Sequence, residues 1–509
     1  LEATREPVFA SKWVGSSTVG ERLFDSVGKT ATVSTDTVAG HSDFDNLGPF
    51  AGVKFKCKVN ADGRFVPVAA EGTPAWDAAG DLDQLMRFPN PYCLMFDDGE
   101  YELRAVSNAP FTLPEGKAHR LVQGEGTDPD FIWVACYNTS KDADGKSRSV
   151  PGKYPAWGSY STFAAADAKA GAQLHSNTSW FGEWTCLLPV IEFNDRNVQQ
   201  SIAPGFSNGV LTNQAYTVAE DMESGSTVKC TSVAPFVVGQ GCTVGKDSWH
   251  AASAAEIACD ERTITAIDAE AKTVTLDGEP FIATAGMFVS NLNWKTGSTD
   301  SMLGHTGAPT VDSKHSMKYR GIEDIWGGGN EPVIDIRLKP VEKDGATVYD
   351  TWYCANPLKA RDAYGNAPTA DFQQLGLLWP EKEGYVKRIG HSEAYPLGPC
   401  PCRGRRIDRQ LPGRLLLPDP KQARQPSTSL RQQLGGRCQP WCLLPERVLC
   451  RQQQQPLLPC PPFFESSNKH HRARHSAPLG ENSPTRRGLV AKAKSGEGEE
   501  RRARLKRYG

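Results

Sequence analysis

The sequence predicts an α+β protein rich in short strands, with a small β-domain inserted into its body and a disordered, basic C-terminal tail. Three observations predict it. Short runs that alternate apolar and polar residues are closed by turn signals such as Asn60-Ala-Asp-Gly63 and Asp97-Asp-Gly99. Only residues 161–172, Ser-Thr-Phe-Ala-Ala-Ala-Asp-Ala-Lys-Ala-Gly-Ala, have a strong helical composition. Globular patterning then stops near Tyr395.

Residues 1–50 read as short strands and turns. Val53–Val59 alternates apolar with basic residues, Arg64–Val68 returns, and the pair is expected to form a hairpin. Tyr92–Phe96 and Tyr101–Val106 form a second hairpin about Asp-Gly. Together these make an N-terminal β-rich part, 1–130. Phe131–Tyr137 reads as a buried strand. The alanine-rich helix follows, capped by Ser161 or Thr162. Leu187–Ile191 reads as an apolar strand, closing a first half of the core at 131–204. Between 205 and 295, the strand-like runs Ser226–Val233, Arg262–Ile267, Lys272–Leu276 and Phe281–Thr284 mark the inserted β-domain. The body resumes over 296–395, with strands expected at Pro332–Leu338 and Thr347–Tyr353.

Charged residues at 23% and hydrophobic ones at 39% of 509 residues fit an ordinary globular chain with room for a large core. The net charge of −2 conceals a split: residues 396–509 hold 23 Lys and Arg against 8 Asp and Glu, and the rest is acidic. No run of eighteen apolar residues predicts a membrane helix. Leu1-Glu-Ala-Thr-Arg5 has no start methionine, so the reading frame is expected to begin upstream. Cys57, Cys93, Cys136, Cys186, Cys230, Cys242, Cys259 and Cys354 are scattered singly and read as small buried hydrophobes; Cys230 and Cys242 could also bridge a hairpin.

Two segments carry a resemblance. Trp184-Thr-Cys-Leu-Leu-Pro-Val-Ile-Glu-Phe-Asn-Asp-Arg196 runs from tryptophan through an apolar stretch into mixed charge. Tyr319-Arg-Gly-Ile-Glu-Asp-Ile-Trp-Gly327 sets a tryptophan and two acids beside a tight turn. Together they resemble the body of a C-type-lectin-like fold, the kind shared by formylglycine-generating enzymes, phage tail and receptor-binding proteins, and retroelement-diversified variable proteins. The resemblance covers most of residues 10–395. It implies a phage tail or fibre protein, in the virion or on an extracellular surface, that binds a bacterial cell-surface ligand (protein or glycan). It also implies contact with other tail proteins and a homo-oligomer; the residues themselves lead to the expectation of no membrane span, cofactor or metal. Ligand-facing residues in such domains lie mainly in the last strands, where this sequence departs from the pattern, so ligand-binding residues stay unassigned.

Chemistry is weighed against structure residue by residue. A formylglycine-generating oxidase needs a reactive cysteine pair near its C-terminal core, and only Cys354 lies nearby. His175, His250, His305 and His315 stand apart, and no hydrolase, zinc-protease or nucleotide-loop motif occurs; Gly327-Gly-Gly-Asn330 reads as a turn. Asp97, Asp98, Glu323, Asp324, Glu331 and Asp335 could supply oxygen to calcium, with Asn330-Glu-Pro332 a loose lectin motif. The preferred reading has Glu192, Arg196 and Glu323 in buried charge pairs that hold turns. Trp180, Trp184 and Trp326 are read as core rather than as sugar platforms.

The tail reads as a stretch translated one nucleotide out of frame. Permitted codons for residues 397–463 let the neighbouring frame spell aromatic text punctuated by glycine and serine. Cys438-Gln-Pro-Trp-Cys442 and His470-His471 are then accidents rather than a zinc site. The alternative is a genuine basic tail on a nucleic-acid-associated protein.

Overall fold

The computed structural model describes residues 5–97, 99–121, 128–156, 158–206, 216–246, 256–327, 333–363, 369–380, 389–392 and 395–401. The tail from 402, with its reading-frame question and cysteine motifs, lies outside these residues. So do His250, Asp98 and the segment from Gly328 to Pro332.

Local chemistry builds the hairpins. At the first turn Asn60 Oδ1 accepts the N–H groups of Asp62 (3.1 Å) and Arg64 (3.0 Å). Gly63 takes a φ of +73°, and a Cβ there would stand 2.3 Å from Ala172 N, so glycine is required on both counts. The strands Val53–Val59 and Phe65–Ala70 diverge from it. At the second turn Asp97 Oδ1 accepts Gly99 N–H at 2.7 Å, between Tyr92–Asp97 and Tyr101–Ser107.

Each hairpin joins a different sheet. The second lies in a five-stranded sheet ordered His119–Arg120, Tyr92–Asp97, Tyr101–Ser107, Phe9–Val14, Glu21–Phe24. The first lies in a four-stranded sheet ordered Phe131–Ala135, Asp83–Pro89, Val53–Val59, Phe65–Ala70. All of these pairings are antiparallel. The described chain is thus a mixed α+β protein dominated by strands in many small sheets.

The alanine-rich helix spans Tyr160–Ala170, and its cap position falls on Ser159 rather than Ser161 or Thr162. One expectation is overturned: Leu187–Ile191 is not a strand but part of a helix, Ser179–Phe193. Thr178 starts this helix by accepting Phe181 N–H, and Asn194 ends it in the left-handed conformation. Pro189 sits inside it, without an N–H to donate to the preceding turn. The run is apolar all round because the helix is buried all round, and a short apolar run carries no period to separate the two states.

This helix is the axis of the main core. Trp184, Leu187, Leu188, Val190 and Ile191 are completely buried, and Trp184 packs edge-on to Phe88 of the four-stranded sheet with ring centres 4.8 Å apart. Phe9, Phe44 and Phe50 form an aromatic trio in the same core. Trp180, Trp184 and Trp326 are all core residues; Trp326 donates to Ala203 O at 2.8 Å.

Long-range charge pairs lock the core. Glu192, fully buried near the end of the helix, accepts from Arg320 Nη2 (2.7 Å) and Nε (2.8 Å), Tyr319 Oη (2.7 Å) and Ser42 Oγ (2.7 Å). Arg196 Nη1 donates to Glu102 at 3.0 Å, and Arg104 donates to the other oxygen of the same carboxylate. Glu323 instead accepts backbone N–H groups from Gly297 (2.8 Å) and Thr299 (2.9 Å), fixing a turn without a cationic partner in hydrogen-bond reach.

A second, separate core lies within 218–289, among strands Thr227–Lys229, Thr273–Leu276, Ile257–Asp268, Gly241–Gly245 and Phe288–Asn291. Cys230, Cys242 and Cys259 belong to it as free, buried thiols, so the 230–242 bridge is not formed. A last three-stranded sheet runs Ile336–Lys343, Ala346–Tyr353, Gln373–Pro380; its first strand starts four residues after the expected Pro332.

Candidate functional site

A cleft of about 420 Å³ opens among the described residues. Strand Phe131–Ala135 forms one wall. Residues 173–181, the loop into the long helix and its first turn, form another, and Ile322–Ile325 and Cys354–Pro357 complete it. Its size falls within the roughly 300–1,000 Å³ of small-ligand and peptide sites. Its surface is mainly apolar and aromatic: Phe131, Trp133, Phe163 and Phe181 are half-buried, over a floor of Trp180 and Trp184.

Sequence alone assigns no ligand-binding residue and reads Phe131–Tyr137 as a buried strand. That reading is corrected. The strand stops at Ala135 and alternates, with Ile132 and Val134 buried and Phe131, Trp133 and Ala135 partly or fully exposed. It is the outer strand of its sheet among the described residues. Only sheet order makes a strand an edge, so no local signal could have found it.

The carboxylates in the cleft are tied to structure, whereas Gln173 Oε1 and Asn293 Oδ1 are buried in its lining without a hydrogen-bond partner among the described residues. Asp335 accepts Ser179 N–H at 2.8 Å and Ser179 O–H at 2.5 Å, a carboxylate placed at the start of the long helix where the helix dipole favours negative charge. Burial still pushes its pKa up to about 6, against the pull of those hydrogen bonds. Asp167 accepts from Ser147 (2.6 Å) and Ser176 (2.5 Å). Burial raises the Glu323 carboxyl above its usual range, although the Gly297 and Thr299 N–H bonds oppose it. His175 lies on the wall with Nδ1 2.9 Å from Ser176 O, and burial lowers its pKa, so the ring is neutral at pH 7. Arg148 is held by Asp83 at 3.0 Å. Arg64, exposed on the rim, has no ion pair among the described residues.

The calcium candidates Asp98 and Glu331 lie outside the described residues, and the others do not converge. Among the described residues there is no group of three or more His, Cys, Asp or Glu side chains able to hold a metal ion. Asp324 is engaged by Ser316 and Met317 N–H, and Asp335 by Ser179. Cys354 is buried, bonded to Asn356 O at 3.3 Å, and burial raises its pKa. His305 contacts Asp45 at 3.0 Å and His315 contacts Asp312 at 2.9 Å, both away from the cleft. No helix among the described residues is long and apolar enough to cross a membrane.

No family model, no curated protein and no solved structure matches this chain.

Proposed function

We propose that the chain is a receptor-binding component of a phage or prophage tail, with a lectin-like body that recognises a protein or glycan on the bacterial surface. The observation that carries a binding role is the cleft. It is concave, aromatic and mainly apolar, and its carboxylates are committed to hydrogen bonds that hold its walls. The tail assignment rests on the sequence resemblance of Trp184–Arg196 and Tyr319–Gly327. In this reading the protein sits in the virion or on an extracellular surface, joins other tail proteins and assembles as a homo-oligomer.

A thiol oxidase is the weaker reading. A nucleophilic cysteine needs its thiolate stabilised by a cation or a helix N-terminus, whereas the Cys354 thiol is pushed the other way by burial.

The test is adsorption of fluorescently labelled full-length chain to a panel of bacterial strains. Saturable binding to some strains is expected, abolished by protease pretreatment of the cells for a protein ligand or by periodate for a glycan. Absence of saturable binding throughout the panel sinks the reading.

A further inference from the structure

The hydrogen-bond parity of strand Phe131–Ala135 narrows the ligand class. Cys136 N–H donates to Gln84 O at 3.0 Å, and Asn90 N–H donates to Asp130 O at 2.8 Å, at the two ends of the pairing with Asp83–Pro89. Alternation in an antiparallel ladder then turns the backbone groups of Ile132 and Val134 toward that neighbour, and those of Phe131, Trp133 and Ala135 away from it. Asp128 takes the Phe131 N–H at 3.2 Å. The outward N–H and C=O groups of Trp133 and Ala135 have no partner among the described residues.

All five residues of this strand line the cleft, so the cleft follows its open edge. Proteins usually blunt such an edge with proline, lysine or a covering loop. Phe-Ile-Trp-Val-Ala has neither residue. What faces the edge is a space about 420 Å³ in volume.

Two donor–acceptor pairs two residues apart repeat at about 6.6–6.8 Å, the period of an extended polypeptide. A sugar ring has no backbone with that repeat. Side-chain chemistry adds a second constraint: Ile132 and Val134 are buried, and Phe131, Trp133, Phe163 and Phe181 give the cleft an aromatic lining that suits apolar side chains at alternate positions.

We propose that the cleft binds an extended peptide segment of a partner protein, with apolar side chains at alternate positions, by strand addition along Phe131–Ala135. The added strand pairs with the outward groups of Trp133 and Ala135. Every second side chain faces the apolar floor beside Ile132 and Val134. This rests on the binding role proposed above and narrows its ligand from protein or glycan to protein.

The test uses the full chain and an array of eight-residue peptides that alternate Val or Ile with Thr, beside peptides of the same composition with the alternation scrambled. Binding of the alternating peptides over the scrambled ones is expected. N-methylation of alternate amides in the phase facing the strand removes binding, while methylation in the opposite phase leaves it. Ala135→Pro, which deletes one outward donor at an edge that tolerates proline, weakens binding by about tenfold. Methylation changes only the peptide, so that comparison tests the proposal even if Ala135→Pro fails to fold. Equal affinity for both methylation phases overturns strand addition. So does a failure of every peptide to bind. If the peptides fail while the chain still adsorbs to cells in a periodate-sensitive way, the binding role stands with a glycan ligand; if adsorption also fails, both readings fall.

Discussion

The two cores of this molecule are closed by different forces. In the main core, Glu192–Arg320 and Glu102–Arg196 tie together residues 128 and 94 positions apart, and Arg320 also reaches Phe50 O, 270 positions away. The second core holds no buried charged side chain among the described residues. Val228, Cys242, Ile264, Val274 and Val289 close it through neighbouring antiparallel strands. Distant segments meeting in a large body need a device that specifies which loop goes where, and a buried ion pair has directional partners that apolar contact lacks. The β-unit pairs strands closer in sequence than the segments those ion pairs join, Thr227 with Thr275 and Cys242 with Asn291, and the alternation of buried side chains along each strand sets its register without such a device.

Removing one partner of a charge pair should have the largest effect. Glu192→Ala leaves Arg320 buried with its main counter-ion gone and is expected to cost about 3–5 kcal/mol, read from denaturant unfolding of the full chain. A loss below about 1 kcal/mol would mean that the pair does not hold the body.

A cavity in the other core ranks second. Ile264→Ala should cost about 3 kcal/mol. Hydrogen exchange should place the loss on Ile257–Asp268 and its neighbours, with the long helix still protected. Equal loss of protection in Ser179–Phe193 would show that the cores unfold as one unit and would break the contrast.

Acidity separates the cores further, with two opposing contributions from the body. Burial alone would raise the Glu192 pKa, but Arg320 and its hydrogen bonds hold it below the usual 4.5. Its stabilisation is therefore present above that value and lost as pH falls through the folded pKa. Asp335 runs the other way: its folded pKa of about 6 exceeds the usual 3.8, so its contribution is present below 3.8 and lost as pH rises through 6. Asp335 alone should add on the order of 2–3 kcal/mol on acidification from pH 7 to about pH 4, while the buried imidazoles of His175 and His305, whose pKa values burial lowers, oppose that gain as they take up protons below about 6.5. Asp335→Asn should remove the rise between pH 7 and 5 in thermal melts, and an unchanged slope would refute the assignment.

Surface charge on the second core should matter least. Lys229→Ala, which breaks a pair with Glu220 at 3.0 Å between half-exposed side chains, is expected to change stability by no more than about 0.5 kcal/mol in urea melts. A larger loss would mean that charge holds this core as well.

What the sequence determined by itself was short-range. Asn60–Gly63 and Asp97–Gly99 announced their hairpins because a positive φ and an Asx hydrogen bond are properties of four residues. The alanine-rich run announced Tyr160–Ala170 because helix propensity is local. Glu192, Arg196 and Glu323 were legible as buried charge since each sits beside apolar or glycine-rich text, but their partners were not. Tertiary structure decided that Arg320 and Glu102 complete two of those sites and that backbone N–H groups complete the third. It also made Leu187–Ile191 helical, because burial on every side erased the period that would have distinguished helix from strand. The candidate site belongs wholly to that second level. An open strand edge exists only relative to the strands that do and do not lie beside it, and five residues of local sequence hold no record of their neighbours.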